Sequence, residues 1–288
     1  MKGICWGALL AVAPLIAMDL KVDHVTVAGR DLATLTKAFA AAGISAEYGG
    51  KHTNGMTEMA IASFADGSYL ELIAAQPGAS AAKHDWGPFI EKDGGVCAWA
   101  VSVRDIRAEA ERMGKAGVAV QPQPGGRLRP DGKQLKWTSG GVGPGPHGLR
   151  MPFLIQDDTA RELRVYPNGK ASVKGYDGIA LIVVAVRDLE GTIAKWRSTF
   201  GLAEPQRQTD KALGATLAWF PGTPAVLAAA DGPGVAADRL EAFGEAPFAL
   251  LFWGKQAPSA ARSTWFGRSI GWFDPGALVG ARIGVITP

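Results

Sequence analysis

Asp66-Gly67-Ser68-Tyr69-Leu70-Glu71-Leu72-Ile73 reads as a tight turn running into a strand that carries one carboxylate among apolar neighbours. Strand side chains alternate, so Tyr69, Glu71 and Ile73 share one face while Leu70 and Leu72 share the other. Neither face has the polar character of a solvated surface. A carboxylate buried alone is costly, and it ends up protonated, paired with a base or bound to a metal. Glu71 therefore needs a partner.

The nearest candidate is His24, in Val22-Asp23-His24-Val25-Thr26-Val27-Ala28, a run rich in β-branched residues that also reads as a strand. If both strands belong to one curved sheet, His24 and Glu71 point into the same concavity. Asp23-His24-Val25-Thr26-Val27, then Arg30-Asp31-Leu32, then Tyr69-Leu70-Glu71-Leu72 resembles the first βαβββ module of the vicinal oxygen chelate superfamily, the fold of glyoxalases, bleomycin-resistance proteins and extradiol dioxygenases. The glyoxalase-like branch is the nearer likeness, through Gly49-Gly50-Lys51-His52-Thr53-Asn54-Gly55, a His-containing Gly-rich stretch expected as a loop before the second strand. The resemblance covers residues 20 to 75. It implies that His24 and Glu71 are ligands of a divalent metal ion.

A second signal is an internal one. Strand, Arg-Asp-aliphatic, helix and Gly recur at Arg30-Asp31-Leu32 to Gly43, Arg104-Asp105-Ile106 to Gly117, and Arg187-Asp188-Leu189 to Gly201, with an interval that varies by one residue at most. Each Asp can cap a helix and each Gly can end it in the left-handed conformation. Apolar stripes follow: Leu32, Leu35 and Phe39; Ile106, Ala110 and Met113; Leu189, Ile193, Trp196 and Phe200. A degenerate fourth copy begins at Pro247–Trp253 and ends at Ala281–Ile286. The fold expected is α+β: tandem βαβββ modules pairing into two curved mixed sheets with helices on the outer faces. Turn residues at Pro167-Asn168-Gly169-Lys170 divide it into a domain over 20–167 and a second, degenerate one over 170–288.

Composition bounds the function. A net charge of +3 on 288 residues, with the basic residues scattered, gives no nucleic-acid footprint. Residues 1–19 pair an early Lys2 with an apolar core and small residues, the pattern of a cleaved signal peptide; the expectation is a secreted or periplasmic protein with no stable membrane anchor after processing, and a cytoplasmic one if the segment is retained. Removing that segment leaves Cys97 alone, so no internal disulfide framework exists. Cys97 sits in an apolar strand and reads as a buried, inert thiol.

Read against the superfamily pattern, the second unit has Ala98 in the His position and only Gln156 or Asp157 near the Glu position, while the third has Leu181 and Leu227. All four histidines, His24, His52, His84 and His147, lie in the first domain, and so does the expected site. His24 and Glu71 are the metal pair; Glu71 and His52 are the catalytic pair. His147, in a Gly-rich loop, is the other candidate ligand. Trp86, Trp99 and Trp137 are candidate pocket walls. Two readings stay open: a metal-assisted lyase, isomerase or dioxygenase acting on a small oxygenated molecule, or a metal-free protein that binds or sequesters a small molecule, its second domain a scaffold or homodimer surface.

Overall fold

The computed structural model describes residues 17–287, and the leader read over residues 1–19 therefore falls almost wholly outside the described residues. The first unit contains β1 (Val22–Ala28), α1 (Leu32–Ala41), β2 (Glu47–His52), β3 (Thr57–Ser63) and β4 (Tyr69–Ala75). A short helix α2 (Gly87–Glu91) leads to β5 (Gly95–Ser102), α3 (Ile106–Lys115), β6 (Gln123–Leu128), β7 (Gln134–Gly140) and β8 (Phe153–Asp157). Beyond α4 (Arg161–Val165) come β9 (Tyr176–Val186), α5 (Leu189–Phe200), β10 (Gln206–Asp210), β11 (Ala215–Trp219) and β12 (Ala225–Ala230). After α6 (Val235–Phe243), the last unit has β13 (Pro247–Gly254), β14 (Ala261–Trp265), β15 (Arg268–Trp272) and β16 (Arg282–Ile286), with a 3-10 turn at Pro275–Leu278 where the other units have no counterpart. No helix among the described residues is long and apolar enough to cross a membrane.

The chain is α+β, with two curved eight-stranded mixed sheets. The first closes into a barrel in the order β1-β4-β3-β2-β6-β7-β8-β5, and the second stays open in the order β10-β11-β12-β9-β13-β16-β15-β14. Barrel closure depends on a short seam, in which Lys51 pairs with Leu128 and His52 with Arg127 across β2 and β6. The Gly-rich stretch expected as a loop is therefore strand: Gly49 to His52 form the end of β2. Glycine is needed there, because Gly50 has φ +113° and a Cβ on it would overlap the Leu128 carbonyl oxygen.

The caps are those the spacing implies. Asp31 accepts from the Thr34 amide, Asp105 from those of Arg107 and Ala108, and Asp188 from that of Gly191. Gly43, Gly117 and Gly201 follow the three helices with φ between 70° and 80°.

Alternation sorts the side chains into two environments. Val25, Val27, Leu70 and Leu72 face outward and join Leu35 and Phe39 of α1 in a core that also contains Trp196 and Phe200 of α5 and Ile182, Leu250 and Val285 of the second sheet. The helices thus lie on the convex faces, as their stripes imply, with one side of α1 and of α5 exposed, and the two sheets meet directly through β5 and β13. Trp99, expected as a pocket wall, belongs to this shared core and stacks on Trp196 at 6.2 Å. Arg239 of α6 ties the halves further by donating to the carbonyls of Gly94 and Val96 at 2.6 Å.

The inner face of the second sheet is filled. Leu181, Val183, Leu217, Phe248, Leu251 and Trp272 pack there, while Leu227 points the other way into the shared core. Val183 pairs with Val226 and Ala185 with Ala228, so the inward positions of β12 are Val226 and Ala228. The expected register at Leu227 was off by one residue. The chemical conclusion survives, since those positions are apolar as well.

Candidate active site

His24 is on β1 and Glu71 on β4, two parallel neighbours in which His24 is level with Tyr69 and Thr26 with Glu71. All four side chains face the barrel interior. His24 stacks on Tyr69 at 4.8 Å, and the Thr26 hydroxyl donates to Glu71 Oε2 at 2.8 Å. His24 Nε2 lies 3.8 Å from Glu71 Oε2, and His52 Nε2 lies 3.4 Å from Glu71 Oε1. Glu71 is only 4% exposed and sits between the two imidazoles. The barrel seam is what delivers His52 to this point.

Each imidazole is held from behind. His24 Nδ1 is 2.7 Å from Asp23 Oδ1, a contact between adjacent residues that regular alternation forbids. A β-bulge permits it: Val22 pairs with Val101 and His24 with Ala100, leaving Asp23 as the extra residue. Asp23 is fully buried, and Arg164 grips it with two hydrogen bonds of 2.9 and 2.8 Å while Arg161 donates to the Oδ2 that Arg164 also holds. Burial would raise the Asp23 carboxyl, but Arg164 and His24 outweigh it and hold the group well below the usual carboxylate range. An ionised Asp23 accepts the proton on His24 Nδ1, which leaves Nε2 as the nitrogen turned toward Glu71. His52 Nδ1 is 2.9 Å from the Thr57 hydroxyl, which also accepts from Asn54 Nδ2 at 3.3 Å. With the Glu71 carboxylate 3.4 Å from Nε2, the proton of a neutral His52 belongs on Nε2 and Nδ1 accepts from Thr57.

Burial pushes Glu71 up, while the His52 hydrogen bond, the His24 and His52 charges and Thr26 pull it down to about 2. Glu71 is a carboxylate at neutral pH. A bare His24 Nε2 opposite that carboxylate would be an acceptor facing an acceptor, so a positive charge, a proton or a cation, belongs between them.

The donor chemistry suits a divalent ion: two imidazole nitrogens and a carboxylate, each imidazole with its other nitrogen tied to a partner. Among the described residues, however, no group of three His, Cys, Asp or Glu side chains stands in a metal-holding arrangement. What is present is two His–carboxylate pairs sharing Glu71.

A cavity of about 340 Å³ opens onto this group, and Met59, Trp86, Trp137, Phe153 and Ile155 line it with Arg127 and Arg164. Trp86 and Trp137 are therefore walls, as expected. At the mouth, His84 Nδ1 accepts from the Trp86 amide at 3.1 Å, and burial lowers its pKa. His147 is not brought to Glu71: it is an exposed rim residue 3.2 Å from Asp85, with its carbonyl accepting from Trp86 Nε1. The second unit adds no ligand. Ala98, Ala100, Phe153 and Ile155 occupy its inward positions. Gln156 turns outward to accept from the Ile106 amide, and Asp157 is engaged by Arg161 and Arg164. Sequence reasoning missed Asp23, Arg127 and Arg164, whose contacts depend on the bulge, the seam and α4.

The profile described as "Glyoxalase-like domain" matches residues 22–200, more than half of the chain. The chain belongs to the glyoxalase-like domain family. Solved structures agree on the fold of this glyoxalase-like protein. A hypothetical protein from Staphylococcus aureus is 16% identical, with a TM-score of 0.64 over 93% of this chain and 99% of that one. A variant of 4-hydroxymandelate synthase from Streptomyces coelicolor is 11% identical, with a TM-score of 0.62 over 93% and 92% of the two chains. A xylose isomerase-like TIM barrel/4-hydroxyphenylpyruvate dioxygenase fusion protein is 12% identical, with a TM-score of 0.56 over 95% of this chain and 49% of that one. Among curated proteins no sequence matches.

Proposed function

We propose that the first barrel of this glyoxalase-like protein binds a small oxygenated molecule and moves a proton on it. The observation that carries the reading is the placement of Glu71 between His24 Nε2 and His52 Nε2 at the inner end of the cavity, with both imidazoles fixed from behind. His24, His52 and Glu71 are the residues that would hold a divalent ion, and an ion there would polarise a carbonyl or enediolate oxygen. Within the protein itself the roles divide by basicity. Glu71, held as a carboxylate between the two imidazoles, serves as the fixed anion. His52 borders the cavity, and imidazole is the side chain suited to exchanging protons near neutrality, so the proton carrier is His52. His24, locked by Asp23, turns Nε2 toward Glu71. Trp137, Phe153 and Met59 exclude water and supply the apolar grip.

A metal-free binding protein is the second reading, favoured by the absence of any ligand from the inward positions of β5 and β8. Metal analysis of protein purified without chelator separates the two. Stoichiometric metal in the wild type, lost in Glu71→Gln and His24→Ala, supports the metal-assisted reaction. Equal, substoichiometric metal in all three removes it and leaves the binding protein.

A further inference from the structure

We propose that Arg127 is an anion subsite of the first-barrel cavity, so that its ligand is a small monocarboxylate with an apolar body. The inference rests on the reading of that cavity as a ligand site and adds the ligand's charge. Arg127 is opposite His52 in the closing seam, and directly opposed residues of an antiparallel pair share a face, so both point inward. Arg127 is 0% exposed and lines the cavity.

Its hydrogen-bond inventory is incomplete. Nη1 donates to the Gly49 carbonyl and Nη2 to the Arg164 carbonyl at 2.6 Å, while the buried Nε has no partner. Three of its five N–H groups remain, Nε–H among them, enough to hold a carboxylate by a charge-assisted hydrogen bond. No carboxylate lies within ion-pair distance of Arg127 among the described residues. The other guanidinium lining the cavity is differently placed: Arg164 is saturated by Asp23, Asp157 and the Tyr69 hydroxyl. Glu71 is committed to His24, His52 and Thr26. Burial lowers the Arg127 guanidinium to about 10, which still leaves it charged at neutral pH.

A buried cation without a counter-ion is costly, and proteins retain such groups where a ligand supplies the opposite charge. A single free guanidinium matches one negative charge better than a phosphate dianion, and its planar edge matches a carboxylate. The apolar part of the ligand then lies against Trp137, Phe153 and Met59.

The test uses benzoate and benzamide, equal in shape and different in charge, titrated calorimetrically into the full chain. Wild type should bind benzoate at least tenfold more tightly than benzamide. Arg127→Gln should erase the difference, and Arg127→Lys should keep part of it. Lys83→Ala, which removes the exposed lysine at the rim, should leave the preference intact. Equal binding of the two probes, binding of neither, a preference that survives Arg127→Gln, or one that disappears with Lys83→Ala would each overturn the subsite. If Arg127→Gln does not fold, the wild-type ratio together with the Lys and Lys83 variants decides. Metal retention through Glu71 is read separately, so loss of the subsite leaves the reading of the Glu71 centre standing.

Discussion

Asp23 and His24, adjacent in the chain, are hydrogen bonded side chain to side chain at 2.7 Å inside the barrel. The bulge at Asp23 makes the pair, and Arg164 and Arg161 keep its acid ionised. The site is therefore assembled in layers: two arginines fix an aspartate, the aspartate fixes a histidine, and the histidine faces Glu71.

Asp23→Asn should strip that arrangement of its charge while keeping its shape. Removing one partner from a buried ion pair costs about 3–5 kcal/mol, because the remaining charge stays desolvated. Urea unfolding should show that loss, and any metal or ligand affinity should drop about 10- to 100-fold, the usual effect of removing the group behind a ligating histidine. A variant as stable as the wild type would show that Arg164 and Arg161 do not depend on Asp23.

Acid should unfold the first barrel through the same residues. Asp23 and Glu71 both have carboxyls below their ordinary values, Glu71 at about 2 against 4.5. A depressed carboxylate binds fewer protons folded than unfolded, so its contribution is complete above the unfolded value and is lost as pH falls through the folded one. Stability should decline between pH 4.5 and 2. Glu71→Gln should flatten the lower part of that decline in a denaturation series, and an unchanged slope would show that Glu71 is not the group being titrated.

How much of this was legible in the sequence depends on the range of the signal. Caps are local, so Asp31, Asp105 and Asp188 and the glycines after their helices could be read directly. Parity is also local, and it put Glu71 on one face with Tyr69 and Ile73, while the family resemblance made that face the inner one. The same rule hid Asp23, because strict alternation sends it away from His24 and nothing in Val22-Asp23-His24 announces a bulge. Arg127 was hidden by distance: its neighbour His52 is set by the seam, a register between strands from different units. Gly49-Gly50 was misread because glycines that suggest a loop can also mark the close approach of two strands.

Gly50→Ala tests that last point. The residue has φ +113°, a region that L side chains rarely adopt, and the added methyl overlaps the Leu128 carbonyl oxygen of the seam. We expect a loss of at least about 2 kcal/mol, combining backbone strain with the clash. Amide exchange should localise the damage, with protection falling at Lys51, His52 and Leu128 before it falls in β9 or β13. Uniform loss across both sheets would mean that the seam is not an independent point of closure.

Thr57 and Glu71 face the two nitrogens of His52, and Thr57→Val isolates the part that Thr57 plays in placing its proton. Thr57 is fully buried, and its hydroxyl accepts from Asn54 while facing His52 Nδ1 at 2.9 Å. Valine has nearly the same shape without the hydroxyl, so packing is kept and the buried nitrogen loses its partner. The stability cost should be about 1–3 kcal/mol, that of an unsatisfied buried polar group. Nitrogen chemical shifts of the His52 ring should report one tautomer in the wild type, with the proton on Nε2, and a mixture in the variant. Proton exchange with a bound ligand should slow accordingly, because a fraction of the molecules then present a bare Nε2 toward Glu71. Identical imidazole shifts in the two proteins would remove Thr57 from the mechanism and leave Glu71 as the sole determinant of the His52 proton.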